Sequence, residues 1–412
     1  MSTTPVVPHS GARGATAPDG FTADERRHMA RALELAALGL YSTDPNPRVG
    51  CVLVRDGEVV GEGWHAKAGE PHAEVHALHA AGERARGATA FVTLEPCAHH
   101  GRTPPCADAL VAAGVARVVY AVGDPFPAVN GAGAARLAAA GVAVAHGCLR
   151  AEAEALNRGF FRRLRTGRPF VTLKLAASLD GRTALANGES RWITGDAARA
   201  DVQRLRARSS AVLSGAGTVN RDGARLTVRD DSLDLRGRRP LRVVLDPRRQ
   251  VPPEAPLFRE PGPVLVLVRA ASPSGSPSSA APVVRAAAPP GAAAEPPAGV
   301  EVLELPAGEG GHGLDLAAVL AELARRHVNE LLVEAGPRLA GAWLRSGLVD
   351  ELVLYLAPHL LGPDAKPLAE LPPLESLAAR RRFAWREATR VGEDLKLVLA
   401  PDSRGTLDAS ES

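Results

Sequence analysis

Four side chains in the first quarter of the sequence could do chemistry together: His72 and Glu74 in PHAEVH, then Cys97 and Cys106 in EPCAHHGRTPPC. One imidazole and two thiolates form a three-point zinc set. Three protein ligands leave a tetrahedral ion with one position for water, as in catalytic rather than closed structural sites. Zinc lowers the pKa of its bound water from about 15.7 to roughly 7, so hydroxide is at hand at neutral pH. A carboxylate two residues from the histidine has no comparable structural task and can shuttle protons. The implied chemistry is metal-assisted hydrolysis.

The same residues admit other readings. A disulfide framework is disfavoured by only four cysteines in 412 residues and no secretory signal. His72 and His76 have zincin spacing, but that motif needs glutamate directly after the first histidine, where Ala73 stands. A structural zinc site closed by His99 or His100 stays open on the residues alone, and in it Glu74 has no assigned task.

The elements around the set support a shared pocket. Pro71 before His72 and Pro104-Pro105 before Cys106 are helix-start signals, and Gly114 is a stop signal. The ligands then sit at two helix mouths, whose positive partial charge favours thiolate and hydroxide. In a continuous helix His72 and Glu74 would diverge by about 200°. With His72 half-wound at a first turn, both can face one cavity. VGCVLVRDGEVVGEGWH reads as a hairpin turning at Asp56-Gly57, a type I′ signal. ATAFVTL and ARVVYAV read as strands alternating with helices, so the first domain is α/β. H-x-E followed by P-C-x-x-C is the signature of nucleobase zinc deaminases; here the second half is P-C-x8-C.

NPRVGCVLVRDG, GEPHAEVHAL and TLEPCAHHGRTPPC, followed by LKLAASLDGRTA, SRWIT and LLVEAGPRLAG, resemble the bifunctional deaminase/reductase family of riboflavin biosynthesis, from about residue 24 to 399. The resemblance implies a cytidine-deaminase-like α/β/α domain followed by a dihydrofolate-reductase-like α/β domain. It also implies two reactions. The first is hydrolytic deamination of 2,5-diamino-6-(5-phosphoribosylamino)pyrimidin-4-one; the second is NADPH-dependent reduction of the ribosyl side chain to ribityl. His72, Cys97 and Cys106 match the ligands of one zinc ion, and Glu74 the shuttle. Asn46, His65, Arg102 and Asp124 match substrate contacts, although Asn46 alone reads as a turn residue and Arg102 as a solvated charge. The family usually has DPNP where this chain has Asp124-Pro125-Phe126-Pro127, so a polar contact becomes an apolar wall or is supplied by Asn130.

In the second half, RPFVTLKLA is a strand carrying Lys174 in a chain whose basic charge is almost all arginine. Residue chemistry favours an edge-strand gatekeeper. The resemblance instead places Lys174 and Glu334 at the reductase's reacting centre. ELLVEAGPRLAGAWLRSG reads as strand, glycine turn and helix, able to hold phosphate or simply to connect. It lacks the spacing of a dinucleotide fingerprint. By resemblance, Ala176, Trp192, Thr218, Asp222 and the run Gly336, Pro337, Arg338, Leu339, Ala340, Gly341, Ala342 line the NADPH site. Ser190, Arg206, Leu226, Arg229 and Glu334 face the substrate. SGAGTVNRDGARLTVR departs from the family's more neutral stretch through Arg221, Gly223 and Arg225.

Composition agrees with a two-domain soluble enzyme. Net charge is +3 and aromatics are 4%, with no basic run interleaved with aromatics, which argues against a nucleic-acid surface. No stretch reaches the roughly 20 apolar residues of a membrane span. The expected plan is a disordered tail over 1–23, a zinc deaminase domain over 24–148 and an interdomain helix over 149–168. A reductase domain over 169–400 follows, with a low-complexity insertion at 271–299, then a polar tail over 401–412. The N-terminal tail reads as no targeting peptide, reduced cysteines and NADPH fit the cytoplasm, and the family resemblance suggests a homo-oligomer. Two other functions are compatible with the residues: a deaminase of another nucleobase with a non-catalytic C-terminal module, and a nucleotide-binding regulator with structural zinc.

Overall fold

The structure is a computed structural model that describes residues 20–98, 105–126, 130–270 and 299–402. Its contacts divide the chain into two compact units, Met1–Asn157 and Arg158–Ser412.

The first unit opens with α1 (Ala23–Ala37), whose start is fixed by a reciprocal capping box between Thr22 and Glu25. Strands β1 (Gly50–Arg55) and β2 (Glu58–Trp64) form the expected hairpin. Asp56 and Gly57 have φ of 53° and 83°, the doubly left-handed turn that suits right-twisted strands. Then follow α2 (Ala73–Ala81), β3 (Thr89–Val92), α3 (Cys106–Ala112), β4 (Arg117–Tyr120), α4 (Ala132–Ala139), β5 (Ala143–His146) and α5 (Arg150–Leu156). The sheet order is β2-β1-β3-β4-β5, antiparallel about β1 and parallel from β3 to β5. Register pairs Gly50 with Trp64 and Cys51 with Gly63, so the two glycines face opposite sides. A Cβ at Gly50 would lie 2.0 Å from the Ala32 carbonyl oxygen, and one at Gly63 2.3 Å from that of Ala73. Helices α1 and α2 therefore rest directly on opposite faces of the hairpin, which makes the layers α/β/α and brings the start of α2 against β2.

The second unit contains α6 (Arg158–Thr166), β6 (Phe170–Ser178), β7 (Arg182–Ala184), α7 (Asp196–Arg208), β8 (Ala211–Gly215), α8 (Ala216–Asp222), β9 (Leu241–Leu245), α9 (Pro256–Arg259) and β10 (Val264–Arg269). It continues through β11 (Val300–Leu305), α10 (Leu316–Arg325), β12 (Glu330–Glu334), α11 (Pro337–Ser346), β13 (Glu351–Ala357), β14 (Lys366–Pro367), β15 (Phe383–Val391) and β16 (Asp394–Pro401). Nine strands run in the order β11-β10-β9-β8-β12-β6-β13-β16-β15, parallel from β11 to β13, with β16 antiparallel to both its neighbours. The central strands are near-continuous apolar runs because helices cover the parallel sheet. Val171, Leu173, Leu213, Leu331, Val333 and Trp343 form the middle of that core.

Two expectations change. β6 lies in the centre of the sheet, between β12 and β13, so Lys174 is no edge-strand gatekeeper. The single helix expected over 149–168 is two, α5 and α6, one in each unit. Between them the buried Asn157 accepts from the Arg48 amide at 2.8 Å and donates to the Arg48 carbonyl at 2.8 Å, satisfying a backbone pair as a neighbouring strand would. Of the expected insertion, 271–298 lies outside the described residues; β10 and β11, on either side of it, pair in parallel.

Candidate active sites

In the first unit, His72 is the N-cap of α2, with extended backbone (φ −75°, ψ 165°), and Glu74 sits in the first helical turn. That half-wound position is what lets two residues at i and i+2 face one space. Cys106 opens α3, and its amide donates to Cys97 Sγ at 3.3 Å. His72 Nδ1 lies 3.2 Å from Cys106 Sγ and 3.8 Å from Cys97 Sγ, and all three ligand atoms fall within 4.8 Å of one another. Donors bound to zinc at 2.0–2.3 Å in a tetrahedron stand about 3.6 Å apart, so the set fits zinc as it stands. All four cysteines are free. His99 and His100, the fourth ligands of the closed-site reading, lie outside the described residues, as does Arg102.

Electrostatics separate the roles of these groups. Hydrogen bonding from Cys106 overcomes burial and, with His72, pulls Cys97 down to about 4, a thiolate at neutral pH. Cys106 is driven up by the thiolate it faces, by burial and by Glu74. Glu74 is buried, and burial raises its pKa against the opposing pull of His72. Burial thus disfavours the charged carboxylate and makes it a stronger proton acceptor than an exposed one.

Beside the set, His65 is buried and bridges Asn46, at 3.1 Å from Nε2, to the Pro71 carbonyl, at 3.1 Å from Nδ1. Its ring meets that of His72 edge-on, with centroids 5.4 Å apart. Asn46, His65, His72, Glu74, Cys97 and Cys106 thus converge. Asp124 Oδ1 accepts from the Phe126 amide at 2.8 Å, and Phe126 is 43% exposed. Sequence reasoning missed Glu95, whose buried carboxylate gathers backbone amides from around residues 124–134. Its only sequence signal was its place next to Pro96-Cys97.

In the second unit, the register of parallel strands sets Lys174 on β6 beside Glu334 on β12. Arg206 on α7 grips Glu334 with both arms, at 2.5 and 2.8 Å, and its third nitrogen donates to the Thr227 carbonyl at 2.9 Å. Burial alone would favour a neutral Glu334, but Arg206, Lys174 and Arg229 outweigh it and hold its pKa low. Burial lowers the Lys174 pKa, opposed by Glu334. The Lys174 ammonium stands 5.8 Å from the Tyr355 ring centroid, and the Tyr355 hydroxyl donates to Asp201 at 2.6 Å. Glu334 is the carboxyl end of β12, where open α/β sheets bind ligands, and the register holds Lys174 level with it.

The cofactor run is mixed in placement. Gly336 is the N-cap of α11, and no side chain caps that end, so its free amides suit a phosphate. Gly336 and Thr218 adjoin: a Cβ on the glycine would be 3.7 Å from Thr218 Oγ1. Leu339 contacts Gly215, and Arg338 is exposed beside Glu370. Ala340 is buried in the core, and a Cβ at Gly341 would meet the Glu370 carbonyl at 2.0 Å, so these two face inward and Ala342 is half-buried after them. Trp192 is largely exposed, stacked under Arg199, and Ser190 precedes it by two residues. The Asp222 carbonyl accepts from Arg191. Ala176 pairs in register with Tyr355. Leu226 has left-handed φ (58°) and is 2% exposed, packed with Val212, Val219 and Leu257, so its side chain belongs to the core rather than to a substrate face. The Arg229 amide donates to Gln203.

Comparison with known proteins bears on both halves. Residues 22–122 match the family of the cytidine and deoxycytidylate deaminase zinc-binding region, and residues 169–397 match the RibD C-terminal domain. The chain is 51% identical to riboflavin biosynthesis protein RibD of Escherichia coli K12 over 381 residues, covering 90% of this chain and 98% of that protein. The chain belongs to the RibD family. Against the Haemophilus influenzae RibD, identity is 45%, over 92% of this chain and 98% of that one. The solved Acinetobacter baumannii RibD superposes with a TM-score of 0.82 at 43% identity, covering 92% of this chain and 99% of that one. A Thermotoga maritima structure described as a diaminohydroxyphosphoribosylaminopyrimidine deaminase/5-amino-6-(5-phosphoribosylamino)uracil reductase does so at 0.77 and 32% identity, with the same coverage. As a RibD-family member the protein is a bifunctional enzyme of riboflavin biosynthesis, with a deaminase and a reductase half that use zinc and NADPH. The fold matches the expected deaminase-like and reductase domains. The reading in which the C-terminal half is non-catalytic is not favoured. Among the described residues no helix is long and apolar enough to cross a membrane.

Proposed function

We propose that the first unit removes an amino group from 2,5-diamino-6-(5-phosphoribosylamino)pyrimidin-4-one and that the second reduces the ribosyl chain of the product to ribityl. The observation that carries the reading is the convergence of His72, Cys97 and Cys106 with the buried carboxyl of Glu74. Zinc, when bound by those three residues, supplies a Lewis acid that acidifies water. Glu74 takes a proton from the attacking water and returns it to the departing nitrogen, which leaves as ammonia. Asn46, held through its amide nitrogen by His65, presents its remaining amide edge to the base, and Asp124 offers a carboxylate to an exocyclic amine.

In the second unit NADPH, when bound near the start of α11, supplies hydride. Lys174 gives a proton to the sugar oxygen while Glu334, kept ionised by Arg206, orients the ammonium. Arg229 supports the placement of a substrate phosphate there: partial desolvation and the charges of Arg206 and Arg225 lower its pKa, and an anion would relieve both. The proposed domain limits are those read from the sequence, with the contact boundary at Asn157/Arg158. Free cysteines support a cytoplasmic site of action, and an exposed edge strand β15, bearing Trp385, supports a homo-oligomer.

A coupled assay tests the reading. The diaminopyrimidinone phosphate should release ammonia without NADPH, and NADPH absorbance should fall only after that release. NADPH oxidation with no prior ammonia would reverse the assigned order, and no ammonia at all would reject it.

A further inference from the structure

We propose that Glu95 is a positioning residue of the deaminase centre: its carboxylate clamps the ligand segment around Cys97 to the segment carrying Asp124. The proposal rests on the reading of Asp124 as a substrate contact. Glu95 is 4% exposed, and it spends its acceptors on backbone amides. Oε1 accepts from Gly133 at 3.1 Å and Ala134 at 3.2 Å, in the first turn of α4. Oε2 accepts from Gly131 at 3.1 Å and, more weakly, from Asp124 at 3.4 Å.

The same helix start is pressed onto the ligand segment. A Cβ at Gly133 would lie 1.9 Å from the Pro96 carbonyl oxygen, so only glycine permits this approach. One residue further, the Cys97 carbonyl accepts from Ala107 at 3.1 Å and Cys97 Sγ from the Cys106 amide. A continuous path therefore runs from α4 through Glu95, Pro96 and Cys97 to α3. The Asp124 branch is fixed at its root by Glu95 and at its tip by the Phe126 amide, which donates to the Asp124 carboxylate. An acidic carboxylate suits four donors because both oxygens accept. An amide has one accepting oxygen, and the helix end claims it. In Glu95→Gln the amino group must then face the Gly131 and Asp124 donors, which frees the Asp124 branch while the helix contact stays.

The experiment is steady-state ammonia release by the full chain with Glu95→Gln, Asp124→Ala and the double variant, with zinc content and NADPH-dependent reduction measured alongside. Glu95→Gln should raise KM for the pyrimidine by about ten- to hundredfold, with kcat held within about threefold, zinc unchanged and reduction intact. Added to Asp124→Ala it should raise KM no further, since contacts in one path are not additive. A kcat and zinc loss at unchanged KM overturns the proposal, as does a rise in KM that multiplies with that of Asp124→Ala. A wild-type chain that releases no ammonia overturns the reading of the site together with the clamp. A wild type that turns over while Glu95→Gln keeps its KM overturns the clamp alone.

Discussion

Glu74 and Glu334 are the same side chain, one buried and one half-buried, and their surroundings push them in opposite directions. Around Glu74 desolvation prevails, because its nearest cation is a histidine at a site meant for a metal, and its pKa rises. Around Glu334 desolvation is present as well, yet a two-armed arginine and a lysine prevail, and its pKa falls. One carboxyl is kept ready to carry a proton and the other is kept charged. Glu330, at the opposite end of the strand that carries Glu334, adds a third case. It is gripped by Arg158 at 3.0 Å and Arg208 at 2.8 Å, at the amino ends of the parallel strands, where this architecture places stabilising rather than ligand-facing groups. Burial and arginine pairing therefore do not mark a catalytic carboxylate; the end of the strand does.

Substitutions probe these contrasts directly. Glu74→Gln should keep zinc and lose roughly 10² to 10⁴ in ammonia release, with NADPH-dependent reduction untouched. An unimpaired rate would remove the proton-carrying role. Lys174→Ala should lower NADPH oxidation with the deaminated pyrimidine by about 10²-fold while ammonia release persists; loss of both in a folded variant would deny that the two centres work separately. Glu330→Ala should leave the reductase rate per folded molecule near wild type but cost about 2 kcal/mol of stability, read by urea unfolding, because the half-buried Arg208 loses its carboxylate and Arg158 keeps only Glu351. A selective fall in rate there would put Glu330 in the site.

The smallest effect concerns acid. Glu334 has a folded pKa below its ordinary 4.5. The stability it contributes is present above that value and is lost as pH falls through the lower folded one. On going from pH 7 to pH 4, melting of the wild type should therefore fall by about 2–4 °C more than that of Glu334→Gln. Equal falls would mean that Glu334 is not held ionised by Arg206 and Lys174.

Some of this was legible in the chain. Pro71 announced the helix start that places His72 and Glu74 on one cavity. Asp56-Gly57 announced the hairpin that carries them, because such signals act within a few residues. The Arg206–Glu334 pairing spans 128 residues and left no local trace. Lys174 read as an edge gatekeeper because a strand's own sequence does not say which strands flank it. Leu226 was matched to a substrate face, but a left-handed backbone turns it into the core. Glu95 looked like one more carboxylate beside a ligand cysteine, since its partners are backbone amides that any residue could offer.

The chain's covalent order was enough to name the donors, their helix mouths and the two-domain family, since these rest on side-chain type and short-range backbone preference. Folding alone fixed which carboxyl has its pKa raised and which has it lowered. Those states depend on desolvation and on cations brought in from distant segments, and such terms exist only once the chain has closed around them.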